Sequence, residues 1–594
     1  MEFPEFDGRV IKPNNADYQE ECYQYASSSY LDDGIIQPAA IIKAANENDV
    51  IKAINYARDN GIAVAVRTGG HQYSGASSTN GKNIQLDLSQ TYMYKDPVKD
   101  FENFKWNNPD CTSVTVGVSF TLGEFNAKLR EKNRFVPHGQ CQYVNLGGHI
   151  QTGGYGQLAR SFGLLSDYVE KFRIITVYDK VTKARWVYKD YKDMSEDEKK
   201  DITEDENNDL FFAVLGGSPG NFGVLTHVTL HVFKDQDYPN SRGLRAAYPF
   251  DRQRLKDLLD IMVNKMVDDD EFPADYDYCI SVLDEPPFTT YEITYDMKYD
   301  RKEGQPQVTW PPMIVIFVQW ANLQGDKQTY DSTFIDSILE AAGGKDQGII
   351  QVSDKECTPL STLTGHWIVP ITREFKLPYF KRTYSSNASS QRLREFKWTD
   401  WVSDRIEEGC SGSVNALSSQ IEAQGSNLSA QFQHFGGSRS RFYQNGNNSP
   451  TSFSWRDTRL GCTLDAFYYS YQQDVAKNWV KKNDDEGVGN SDARFCEDDR
   501  RVLWGSHDLD LSAAHRYYYD SEEKYDRLCN IKQTFDPSGV FTPNRFCIGL
   551  EPEVPSAEKR KIKPLLSAED KFWKMASMES KVGKPVPLWN TWRA

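Results

Sequence analysis

The sequence predicts an α+β protein of two domains, and three observations support this. At 594 residues the chain is too long for one hydrophobic core, since cores stop growing beyond roughly 250–300 residues. Up to about residue 235, short helices alternate with short strands, and glycine clusters fall at three of the turns. From about residue 240 the character changes to longer apolar strands and helices, with a layer rich in Tyr, Phe and Gln. The expected division is an arm at 1–35, a first domain at 36–235, a second at 236–504, a return to the first at 505–550, and a tail at 551–594.

Taken in order, the arm is polar and turn-rich. Val50, Ile51, Ile54 and Ala57 recur with helical spacing, with Asn48 as the expected cap and Gly61 as the stop. Residues 63–66 read as a short buried strand, followed by the loop Arg67-Thr68-Gly69-Gly70-His71. Residues 83–88 and 113–118 read as strands, 121–132 as a helix and 172–178 as a strand. The charged stretch 180–207 reads as a surface excursion, and 210–232 as a glycine-rich turn between two apolar runs. Beyond 240, residues 255–266 and 330–342 have helical patterns and 313–319 the apolar run of a central strand. Residues 400–409, 428–435 and 463–471 continue the α+β layer, and a helix over 521–535 precedes a turn at 536–539. The tail is basic and Pro-rich, expected as a surface arm.

Composition narrows the function. The net charge of −16 argues against nucleic acid or an anionic membrane as partner. No apolar run approaches the roughly 18–20 residues that span a bilayer, and no signal peptide is visible at the start. Sequons at Asn387, Asn427 and Asn447 would suit a secreted protein, so the compartment stays open, as does the oligomeric state. The ten cysteines form no C-x-x-C pair, so no metal site is expected.

The chemistry concentrates in the glycine clusters. Seven glycines and Cys141 fall within 136–169, with almost no charge. Upstream, His71 directly follows a Gly-Gly pair. Dense glycines let backbone amides approach a bulky ligand and turn tightly around it. Neither G-x-G-x-x-G nor G-x-x-x-x-G-K-[ST] is present, so a nucleotide would lie across several loops rather than on one. His71 and Cys141 are both expected to face one large anionic cofactor.

Three segments, VRTGGHQYSGASS, GQCQYVNLGGHIQTGGYGQLARSFGLLSDYV and LFFAVLGGSPGNFGVLT, resemble the FAD-binding domain of the vanillyl-alcohol-oxidase superfamily. The resemblance is strongest to its berberine-bridge-enzyme-like branch, which includes oligosaccharide and hexose oxidases. The stretch from RVLWGSHDLDL to NRFCIGL is similar to that branch's closing segment. The resemblance implies a PCMH-type FAD-binding fold and a substrate domain of antiparallel sheet covered by helices. It also implies FAD held covalently by the His71 ring at the 8α-methyl group and by the Cys141 sulfur at C6. Arg67, Thr68, Gly69, Gly70 and Ser74 would cradle the pyrophosphate. Tyr143, Leu146, Gly147, Gly148, His149, Gly153, Gly154, Tyr155 and Gly156 would follow the ring and ribityl chain. Asp167 and Val169 match adenine-side positions, Asn221, Phe222, Gly223 and Val224 a second nucleotide loop, and Asn544 a polar return to the flavin.

For the substrate, the resemblance points to Gln431 and Gln433 on one strand face, with Arg441 nearby. Two departures from the branch concern the base: Ser440-Arg441 stands where plant members have a glutamate, and Gly505-Ser506 where many have Asn-Tyr. Candidate bases are therefore Tyr469, Tyr471, His507 and Asp508. The expected reaction is oxidation of an alcohol, favoured as a saccharide hydroxyl, with hydride transfer to flavin N5 and reduction of O₂ to hydrogen peroxide. An alkaloid or other secondary metabolite as substrate, and a structural flavoprotein that has lost its base, stay open as alternatives.

Overall fold

The computed structural model describes residues 2–24, 36–72, 75–93, 103–178, 181–267, 272–283, 312–325, 329–348, 350–364, 379–414, 427–447, 449–467, 473–487, 494 and 511–549. A first sheet contains β1 (Arg9–Ile11), β2 (Ala40–Lys43), β3 (Val64–Arg67) and β4 (Ile84–Asp87), in the order β1-β2-β4-β3. The last three are parallel and β1 is antiparallel at the edge. Strands covered on both faces read as near-continuous apolar runs, as AIIK and VAVR do. A second, antiparallel sheet takes β5 (Phe104–Trp106), β6 (Ser113–Gly117), β8 (Val169–Tyr178), β9 (Val181–Tyr188) and β10 (Val224–His231), in the order β5-β6-β10-β8-β9. Short β7 (Arg134–Phe135) and β11 (Phe233–Lys234) pair outside it.

Helices α1 (Tyr18–Cys22), α2 (Glu47–Asp59), α3 (Leu122–Arg130), α4 (Leu146–Gln151), α5 (Ala159–Phe162) and α6 (Glu204–Val214) connect these strands. The cap of α2 is Asn46 rather than Asn48, its side chain accepting the Asp49 amide at 3.1 Å. Thr121 with Glu124 and Thr203 with Glu206 form capping boxes that start α3 and α6. The expected surface excursion at 180–207 contains β9, whose buried Val187 and Tyr188 join the core. Lys183 and the buried Arg185 fall on the same strand face as Val187, and such charge within the strand masks it in a composition-based reading. The arm is likewise built in: Asp49 accepts the amides of Asp7, Gly8 and Ala45 at 2.8–3.0 Å.

The second half is one seven-stranded antiparallel sheet of β12 (Arg242–Pro249), β13 (Tyr276–Leu283), β14 (Met313–Trp320), β15 (Ile350–Glu356), β16 (Tyr379–Ser386), β17 (Asn427–His434) and β18 (Leu460–Phe467). Its order is β15-β12-β14-β13-β17-β18-β16. Tyr278, Ile280, Val282, Ala430 and Phe432 pack with α7 (Arg252–Ile261), α8 (Thr333–Ala341), α11 (Trp398–Val414) and α13 (Gln473–Gly487) in a core of their own. The alternate positions are polar: Asp277, Cys279 and Ser281 on β13, Gln431 and Gln433 on β17. This uncovered face looks toward the first half. Shorter α9 (Pro359–Thr364), α10 (Ser390–Glu395) and α12 (Arg441–Gln444) fill connections.

The chain then returns. From α14 (Leu511–Tyr518) and α15 (Glu522–Phe535), Tyr518, Leu528, Ile531 and Phe535 join the first core, followed by Val540, Phe541 and Ile548. The Val64 amide donates to Val540 O at 2.7 Å, and Thr79 Oγ1 to Pro543 O at 2.7 Å.

Between the halves, the Arg160 guanidinium is buried and donates to the carbonyls of Phe272, Pro273, Tyr276 and Gly436. Its amide and that of Ser161 donate to Asp277, which also accepts the Ser161 hydroxyl. Burial pushes the Asp277 carboxyl up to about 7 against the pull of those donors and of the Arg160 charge. The unfolded chain holds this group near its ordinary 3.8, so folding favours the protonated form and ionised Asp277 costs stability. That cost grows as pH rises from about 4 to about 7 and is constant above. Asp277→Asn is expected to gain in melting temperature relative to the parent between pH 5 and pH 8. A gap that stays constant across that range in thermal unfolding would contradict this.

Candidate functional site

A cavity of about 300 Å³ opens where the turns of the first half meet the polar sheet face. Its walls come from the loop after β3 (Thr68, Gly69, Gly70, His71), from Gly139, Gln140 and Cys141 before α4, and from Gly147, Gly148 and His149 in α4. Gly154, Tyr155 and Gly156 follow α4; Pro219, Gly220 and Gly223 come from the turn after α6; Gln431 comes from β17. Two glycines show why the turns need them. Gly154 has φ +74° and a Cβ there would lie 2.7 Å from Leu165 Cβ, while a Cβ on Gly69 would lie 2.3 Å from Asn145 Oδ1. Among the described residues, the amides of Gly69 and Gly70 have no hydrogen-bond acceptor in the protein, and Gly70 is buried. Buried donors of this kind need a partner, so they suit an anionic oxygen. With glycine-thinned walls for a flat ring, the donor set fits the expected dinucleotide.

The loop carrying Cys141 is pinned on both sides. The Gly139 amide donates to His149 Nε2 at 2.8 Å. Burial, with the neighbouring His138, pushes His149 down to about 3, so the ring stays neutral and its Nε2 stays an acceptor. The Gly123 amide donates to Gln142 O at 3.0 Å, and the Val144 amide to Cys141 O at 3.2 Å. His71 Nε2 lies 3.1 Å from Tyr143 O, so the loops bearing His71 and Cys141 touch. Gln431 Nε2 donates to Gln140 Oε1 at 3.0 Å. Gln151 bridges two turns, donating to Gly147 O at 2.8 Å and accepting the Gly220 amide at 3.2 Å.

Other sequence-derived candidates sit away from the cavity wall, each with an alternative partner. Arg67 is buried against Asp87 and donates to the carbonyls of Glu21 and Tyr23. Burial opposes ionisation of Asp87, but the Arg67 charge and hydrogen bonds outweigh it and hold the carboxyl below its usual range. Asp167 accepts Arg456 and, at 3.1 Å, the Asn445 amide, tying the turn before β8 to the second half. Asn221 receives the Ile548 amide at 2.8 Å, and Asn544 donates to Ala76 O and Ser78 O. Gln433 donates to Gly156 O at 2.7 Å. Leu146, Val169, Phe222 and Val224 are core residues. Gly153 abuts Phe453, Arg441 opens α12, and the Tyr143 side chain is 45% exposed. Ser74, Tyr469, Tyr471, His507 and Asp508 lie outside the described residues.

Sequence reading missed Gln140, Asn145 and Gln151, of which Asn145 packs against Gly69 and Gln151 bonds to Gly147 and Gly220. It also missed the Lys381–Asp465 pair at 3.5 Å, largely buried on the polar sheet face. Register puts Gln431 opposite Thr463, and Asp465 opposite both Ser429 and Lys381. Asp465 is thus a diagonal neighbour of Gln431, roughly 7–8 Å away. Strand parity was the available signal, since Thr463 and Asp465 share a face.

Residues 38–184 match the FAD binding domain family, and 505–545 the berberine and berberine like family. Berberine bridge enzyme-like 19 of Arabidopsis thaliana is 32% identical over 193 residues, which are 32% of this chain and 29% of that protein. FAD-linked oxidoreductase malF of Malbranchea aurantiaca is 33% identical over 189 residues, 31% of this chain and 29% of that protein. The matched stretch spans under a third of the length of these curated relatives. Among solved structures, Physcomitrella patens BBE-like 1 superposes with TM-score 0.64 at 15% identity, covering 92% of this chain and 98% of that one. Chitooligosaccharide oxidase superposes with TM-score 0.60 at 16% identity, again covering 92% and 98%. These likenesses are of fold, and they span both halves in the same two-domain α+β arrangement.

Proposed function

We propose that the chain is a bicovalent flavoprotein of the berberine-bridge-enzyme-like branch of the PCMH-type FAD-linked oxidoreductases that oxidises an alcohol, with a saccharide hydroxyl favoured; the family matches at 38–184 and 505–545 support this. One observation carries the reading: His71 and Cys141 both line the cavity that the glycine turns enclose. FAD held there would supply the hydride acceptor for the substrate carbon and the route for two electrons to O₂, giving hydrogen peroxide.

The chain's own residues do the rest. The amides of Gly69 and Gly70 hold pyrophosphate oxygens, and the α4 turn around Gly147 and Gly148 leaves room for the ring. His71 and Cys141 tether it at two positions, keeping it in place through turnover. Neutral His149 keeps the Gly139 amide engaged above about pH 3, so the Cys141 loop does not loosen by protonation of this ring in that range. The proton of the reacting hydroxyl goes to a base among Tyr469, Tyr471, His507 and Asp508, which must come within hydrogen-bond reach of it. The saccharide preference is supported by the sheet face, where Thr463, Ser429, Asp465 and Lys381 extend polar groups outward from Gln431. Planar amide and carboxylate groups suit adjacent hydroxyls.

Anaerobic mixing with a panel of mono- and oligosaccharides is expected to bleach the flavin absorbance within the mixing experiment. Bleaching by alkaloid or polyketide alcohols alone would replace the substrate class. Bleaching by neither would remove the oxidase reading.

A further inference from the structure

We propose that Gln431 is a positioning residue for Cys141, acting through Gln140; this rests on the two-tether reading above. Gln431 sits on β17, between β13 and β18 near the middle of the seven-stranded sheet, so its backbone is among the most rigid available to the site. Its Nε2 donates to Gln140 Oε1 at 3.0 Å, and Gln140 directly precedes Cys141. Behind it, Ser281 Oγ lies 3.5 Å from the same nitrogen on the neighbouring strand. Burial pushes the nearby Cys279 thiol up to about 12 against hydrogen bonds from Ser281, Gln140 and Gln431, so an uncharged thiol sits within the same amide pair.

The first half also fixes residues 139–144, through His149 on the Gly139 amide, Gly123 on Gln142 O and His71 against Tyr143 O. The Gln140 side chain is where the second half holds this loop through β17. It therefore sets how far the Cys141 sulfur stands from the ring edge. Forming the thioether replaces an S–H and a ring C–H with an S–C bond, and the two protons and two electrons released go to dioxygen as hydrogen peroxide. Such a step is sensitive to placement, since an error of about 1 Å can cost on the order of 10²-fold in rate. The His71 linkage, on a separate loop, does not depend on Gln431 in this way.

The test uses the full chain produced with FAD, digested, with the flavin peptides weighed. Gln431→Leu is expected to lower the fraction of chains with flavin on the Cys141 peptide at least fivefold, leaving flavin on the His71 peptide unchanged. Gln140→Leu should give the same loss, and the double variant no further loss, because both remove one bond. Gln431→Glu, which can accept from the Gln140 amide turned end for end, should restore the linkage. Full cysteinyl linkage in both leucine variants would overturn the proposal, as would equal loss of both linkages. Absence of flavin on Cys141 in the parent protein would instead remove the two-tether reading itself.

Discussion

Replacing His71 and Cys141 together with alanine is expected to leave the acid-precipitated protein colourless, whereas either single replacement should leave it yellow. Both side chains line one cavity, on loops that meet through the His71 ring and the Tyr143 carbonyl. Each proposed bond would be covalent, so one would be enough to carry the flavin through denaturation. The cradle does not depend on them: Gly69, Gly70, Gly147 and Gly154 act through backbone, and the folded double variant should still bind FAD reversibly. Absorbance of the pellet and supernatant after acid precipitation measures this directly. Yellow pellets from the double variant would mean that neither residue is a tether.

The second large effect is on stability. Asp536 is fully buried and accepts the amides of Val540 at 2.7 Å and Phe541 at 2.8 Å, together with Lys532 Nζ at 2.7 Å. Lys532 also donates to the carbonyls of Asn221 and Phe541. Asp536→Ala leaves an ammonium buried with carbonyls alone and two amides unmatched, a class of change that costs about 3–5 kcal/mol. Lys532→Met is expected to cost less, since the two amides still hold the carboxylate. Denaturant unfolding of the three proteins checks the order, and a loss under about 1 kcal/mol for Asp536→Ala would refute the argument. Because Asn221 lies in the turn that reaches Gly223 on the cavity wall, the same variant should also load flavin poorly.

Much of this was legible in the sequence. Apolar runs gave β3, β6 and β14 close to their observed limits but not β2, and helical spacing found α2, α3, α8 and α15. Such patterns are local, and burial writes them into composition. Where charge overlies an inward alternation, as in β9, the local signal fails. Cavity-lining Thr68–His71, Cys141 and Gly147–His149 were visible because close backbone approach demands glycine, and motif resemblance named the rest. Arg67 and Asp167 show what motifs omit. Both are charged groups beside the glycine turns, but their partners, Asp87 and Arg456, stand 20 and 289 residues away. The Gln431–Gln140 bond, spanning 291 residues, is likewise a product of topology.

The return of the chain to its first sheet has a consequence for how the protein is made. Val64 must wait for Val540, and Thr79 for Pro543, before the wall behind the His71 loop is closed. On the ribosome, the wall behind the His71 loop therefore stays unfinished until more than 450 residues beyond Thr79 have been added. The proposed flavin attachment would then be a seal on completed synthesis: chains interrupted before residue 540 would emerge without colour, however well their first strands had paired.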